Sequence, residues 1–172
     1  MASLMEELII TLDQEKNEYK KLLALSLAKT PVIISADLDS LAKITDDEQA
    51  VVNVISALDK KRDTYMKDIA NVINKDVNTL KISNIITMLQ GRPQEQNKLA
   101  AIYDELTDVL AQMKRVNEQN KQLIESSLEM IEFDMNLVQA SKAAPQTANY
   151  SRGAYSTGDV IGMNASGFDS KS

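Results

Sequence analysis

The sequence predicts an all-α protein: an elongated antiparallel helical bundle or long helical hairpin, with a short connecting helix and a flexible C-terminal tail. Three observations carry that prediction. Aromatic residues are only 4% of the 172 residues and glycines number five, a balance that favours helices over sheets. The strong breakers are few and clustered, with prolines at 31, 93 and 145 and four of the five glycines after residue 150, so long stretches run without interruption. Within those stretches apolar residues return at three- and four-residue spacing, the period of a helix with one buried face. The expected organisation is a helical bundle domain over residues 1–140 and a flexible, partner-binding tail over 141–172.

The first periodic segment covers 4–29, with Met5, Leu8, Leu12, Tyr19 and Leu22 on one face. Thr30 and Pro31 are expected to end it, because proline disfavours helical geometry at the preceding residue and cannot continue the hydrogen-bond ladder. Alternatively Pro31 opens a further short helical turn, with Thr30 as its cap. Asp37 is a suitable N-cap for a second helix over 38–74, about 55 Å long at ~1.5 Å per residue. Its seven-residue rows are Ile44, Val51, Leu58, Tyr65, Val72 and Leu41, Glu48, Ile55, Arg62, Ile69. A competing start at Thr45, with Glu48 completing a capping box, would make 31–44 a separate short element. Residues 75–79 form a turn, after which Ser83 caps a short helix that ends before Gly91.

Pro93 opens the last helix, which has the most regular pattern in the chain. One row holds Leu99, Leu106, Met113, Asn120, Ser127 and Asp134; a second Ile102, Val109, Val116, Leu123, Met130 and Leu137; a third Tyr103, Leu110, Asn117, Ile124, Ile131 and Val138. A stripe three positions wide per heptad suits a bundle better than a two-stranded coil, whose seam needs two. After residue 141 the periodicity stops and glycine and serine become frequent, the composition of a tail that is mobile when unbound.

Composition also limits the chemistry. Histidine and cysteine are both absent, which removes the usual general base, the thiolate nucleophile and the commonest ligands for transition metals. No glycine-rich phosphate loop is present either, so neither catalysis nor a cofactor is expected. A formal charge of −6 without a compensating basic face disfavours nucleic acid as a partner. The first residues carry acid where a secretory signal carries base, and no apolar run approaches a membrane span. A cytoplasmic protein without membrane insertion is therefore expected.

Four features are candidates for binding. Asn117, Asn120 and Ser127 interrupt the last helix's apolar stripe, either as a register-fixing polar layer or as a stretch that faces water until a partner covers it. Glu48 and Arg62 stand in an apolar row of the second helix, where each must reach a partner on another helix or extend to the rim. Over 124–138, Leu128, Phe133 and Met135 add apolar bulk outside the stripe, so one surface can face the bundle and the surplus a partner, with methionine suited to irregular contacts. In the tail, Tyr150, Tyr155 and Phe168 are anchors for a partner, or for folding back on the bundle.

The last helix resembles a family pattern. Asn117 and Asn120, the pair Leu123 and Ile124, then Ser127 and Leu128 before Met130, Ile131 and Phe133, are similar to the signature of the FlgN family of flagellar type III export chaperones. Asp37, Leu38 and Leu41 followed by Glu48 and Arg62 are similar to that family's second helix, and Tyr150 with Gly153 to the opening of its tail. The break at Thr30 and Pro31 departs from a region the family keeps helical, and 159–172 lies outside the resemblance. It implies a cytoplasmic chaperone that binds hook-associated proteins by their C-terminal helical segments, prevents their premature assembly and delivers them to the export apparatus. The expected client surface is Ile124, Leu128, Ile131 and Met135, with Asn117, Asn120, Ser127, Tyr150 and Tyr155 beside it, on a monomer or weak homo-oligomer. The alternative is a structural coiled-coil protein that self-associates and has no export client.

Overall fold

A computed structural model describes residues 2–143 of the chain, and side chains over 4–142. Its elements are α1 (Ala2–Ser35), α2 (Leu38–Val72), α3 (Ile82–Met88), a 3-10 turn (Leu89–Gly91) and α4 (Pro93–Ala143), with no strand among the described residues. Two compact units divide the chain inside α4, Met1–Lys121 and Gln122–Ser172.

In the first unit α1 and α2 form an antiparallel hairpin, because their polar partners run in opposite senses: Glu7 with Tyr65, Glu15 with Arg62, Lys29 with Glu48. The partners of α1 and α4 rise together, Lys20 with Glu105 and Ser26 with Asn120, so these two helices are parallel. The turn, α3 and the 3-10 segment between α2 and α4 supply the reversal. Two apolar layers hold the helices together. Met5, Leu8 and Leu12 meet Met66, Ile69, Ala70, Leu80, Ile85, Leu89, Leu99 and Ile102 where α3 closes one end. Further along, Leu22, Ile55, Val109 and Met113 form a second layer. Each fully buried Leu, Ile or Met contributes roughly 1.5 to 3 kcal/mol by leaving water.

The second helix is continuous from Leu38, so the proposed start at Thr45 is not used. Asp37 caps it as expected, accepting from the Ser40 amide at 3.2 Å and the Ser40 hydroxyl at 2.6 Å. These bonds favour the carboxylate and lower the pKa of Asp37, the hydroxyl contributing most.

Three expectations need correction. Thr30 and Pro31 do not end α1, which runs through Pro31 to Ser35. Contacts on both sides of the proline hold the helix: Lys29 pairs with Glu48 at 3.1 Å, the Thr30 hydroxyl donates to Asn120 at 2.6 Å rather than capping a new turn, and Ile33 is buried. The helix ends instead at Ala36, which adopts a left-handed φ of 55°. Its amide donates to the Ile33 carbonyl at 3.1 Å and that of Asp37 to Val32 at 3.2 Å, a Schellman closure. Ser83 lies inside α3; the cap position is Lys81, whose amide donates to the Asn84 side chain at 2.9 Å. Finally, α4 buries two rows of its stripe in the first unit, not three. Leu99, Ile102, Val109, Met113 and Asn120 are buried, whereas Tyr103, Leu110 and Asn117 are exposed, because the groove between two helices covers two rows.

Candidate partner-binding surface

The polar residues singled out inside the first unit are occupied by its own helices. Asn120 is buried, donating its amide to the Ser26 carbonyl at 2.8 Å and accepting from Thr30 at 2.6 Å. Both bonds go to α1, so Asn120 fixes the register of α4 against α1, the role a buried asparagine has in coiled coils. Asn117 is exposed three residues earlier. Glu48 and Arg62 each reach α1, as their charge at apolar positions requires, Glu48 meeting Lys29 and Arg62 meeting Glu15.

Sequence reasoning missed the other end of the second pair. Glu15 is fully buried, with one carboxylate oxygen 3.0 Å from Arg62 and the other making no hydrogen bond among the described residues. Arg62 is shared with Asp59 at 3.3 Å and Asp63 at 3.6 Å, so three carboxylates compete for one guanidinium. Burial pushes the Glu15 pKa up to about 7, opposed by the charge of Arg62 and reinforced by Asp59. The signal was in the spacing, since Leu8, Leu12, Glu15, Tyr19 and Leu22 share one helical face.

The second unit is described through its helical part, 122–143. Nothing in this stretch breaks a helix, and Lys142 sits in the last turn, where positive charge suits the helix dipole. Ser127 satisfies its hydroxyl within the helix, donating to the Leu123 carbonyl at 2.8 Å. Ile124, Leu128, Ile131, Met135 and Val138 recur at four- and three-residue steps and form one ridge. Their exposures reach 61% at Leu128 and 58% at Met135. Met130, Phe133 and Leu137 form a second exposed ridge. A contiguous apolar surface of this kind marks an interaction site more often than scattered single residues do. The structure therefore brings together Ile124, Leu128, Ile131 and Met135. Tyr150 and Tyr155 lie outside the described residues.

The family model described as FlgN protein matches residues 1–157 of the chain. The chain belongs to the FlgN family. FlgN proteins are flagellar export chaperones, not enzymes, and bind flagellar export substrates. The match takes in all four α-helices, the ridge at 124–138 and the Pro31 region, which the FlgN resemblance expects to be helical. No curated protein and no solved structure matches the chain. Among the described residues no helix is long and apolar enough to cross a membrane, and no group of three or more acidic side chains is placed to hold a metal ion.

Proposed function

We propose that this FlgN protein is a cytoplasmic export chaperone that binds hook-associated proteins by their C-terminal helical segments. It keeps them from assembling early and delivers them to the type III export apparatus. It acts by binding and performs no reaction. The observation that supports this reading is the surface at 124–138, where Ile124, Leu128, Ile131 and Met135 expose one apolar ridge on a helix. An amphipathic client helix, which would otherwise self-assemble, buries its own stripe against such a ridge. The tail, with Tyr150 and Tyr155, adds anchors for the same client, and the free chaperone is a monomer or weak homo-oligomer.

Replacing Leu128 and Ile131 together with glutamate tests the surface. Both are more than half exposed, so the helix content stays unchanged while co-purification with hook-associated subunits falls more than tenfold. Undiminished co-purification would remove the ridge from the reading. Sedimentation separates the structural alternative, since a self-associating coiled-coil protein runs as a large, stable homo-oligomer.

A further inference from the structure

The ridge at 124–138 has an edge of uniform charge. Glu125, Glu129 and Glu132 follow one another at four and three residues, so they stand in a row alongside Ile124, Leu128, Ile131 and Met135. All three are exposed, and among the described residues none of them is in an ion pair. Over 122–143 the charges are Glu125, Glu129, Glu132 and Asp134 against Lys142 alone, a net of −3 (one minus four). A row kept only for solubility has no need of one sign. The polar side of α1 mixes them, pairing Asp13 with Lys16 at 2.7 Å and Glu18 with Lys21 at 2.7 Å. Like charges at four-residue spacing destabilise a helix, and this helix keeps them next to its apolar face.

We propose that the occupant of the ridge is a helix whose apolar stripe is bordered along one edge by lysine or arginine, and that Glu125, Glu129 and Glu132 read that edge. The proposal rests on the client surface inferred above and adds the chemistry of the client. Charge complementarity selects among occupants. A second copy of this chain brings the same acids, and in antiparallel pairing sets acidic edge against acidic edge. The chain's own residues 144–172 carry Arg152 and Lys171 against Asp159 and Asp169, no net positive charge. A basic-edged partner helix supplies what both lack, and the acidic row also fixes which way round it lies.

Synthetic amphipathic helices of about 18 residues, with one leucine stripe and an edge of lysine, glutamine or glutamate, are the probes, titrated by fluorescence anisotropy against the full chain. The lysine-edged peptide is expected to bind at least tenfold tighter than the glutamine-edged one at low salt, and the gap to shrink as salt screens it. The triple variant Glu125→Lys, Glu129→Lys, Glu132→Lys, at exposed positions, is expected to reverse the order in favour of the glutamate-edged peptide. Equal binding of the lysine and glutamine peptides, or an order unmoved by the triple variant, overturns the basic edge and leaves the apolar ridge standing. Binding of no peptide overturns both. A stable dimer that Leu128→Glu dissociates assigns the ridge to a second copy, and binding that appears only after removal of 144–172 assigns it to the tail; either result overturns the proposal.

Discussion

Glu15 shows how one residue can set a pH dependence for a whole fold. Its pKa is raised to about 7 from an ordinary value of 4.5, chiefly by burial, so the folded state binds this proton more tightly than the unfolded state does. The sign follows from that. Stability from this group is complete below about pH 4.5 and is lost as pH rises through 7, where folding must hold an ionised carboxylate out of water. The loss amounts to roughly 3 kcal/mol, each tenfold difference in proton affinity being worth ~1.4 kcal/mol. Glu15→Gln keeps an oxygen for Arg62 and carries no titrating proton. Urea unfolding between pH 5 and 8 is expected to show a declining stability contribution in the parent that the variant lacks. Parallel profiles would show that Glu15 is ionised throughout.

At the scale of elements, the clearest test is Pro31. It is exposed, removes one backbone donor from α1 and crowds the carbonyl four residues back, a cost of about 3 kcal/mol in a helix interior. Burial of Ile33 and the bonds of Lys29 and Thr30 to α2 and α4 offset that cost. Pro31→Ala is therefore expected to raise unfolding stability by about 1 to 3 kcal/mol, measured by denaturant titration. The same position shows why local reading falls short. Proline is a breaker by propensity, and only partners far along the sequence show that the helix survives it. Features decided locally were legible: the Asp37 cap, the turn at 75–79, the start of α4 at Pro93, and the need of Glu48 and Arg62 for partners on another helix. Features decided by packing were not, as Lys81 in place of Ser83 and the outward third row of Tyr103, Leu110 and Asn117 show. The surplus of apolar residues around 124–138 was readable from composition along the helix; that this surplus is exposed was not, because periodicity marks a face and not what covers it.

For the whole molecule, the distribution of core residues predicts a separable first unit. Both apolar layers draw on residues no later than Met113, and the Asn120 bonds also close within Met1–Lys121. A chain of residues 1–121 is expected to unfold cooperatively, with a urea midpoint close to that of the full chain, while losing client capture. Non-cooperative melting by circular dichroism would mean that the core needs residues beyond Lys121.

The parallel pairing of α1 with α4 also sets an order of events on the ribosome. The α1–α2 hairpin closes over a turn of two residues, whereas the contacts of Lys20 with Glu105 and Ser26 with Asn120 span 85 and 94 residues. Closing the longer loop costs more chain entropy, and contacts of that range form late. The hairpin can thus assemble as soon as α2 leaves the exit tunnel, with Leu22 and Ile55 lacking Val109 and Met113, and Ser26 lacking Asn120. Only when synthesis has passed Asn120 does the nascent chain contain the groups that seal that face, so the ridge at 124–138 is made after every residue of the first unit's core has been synthesised.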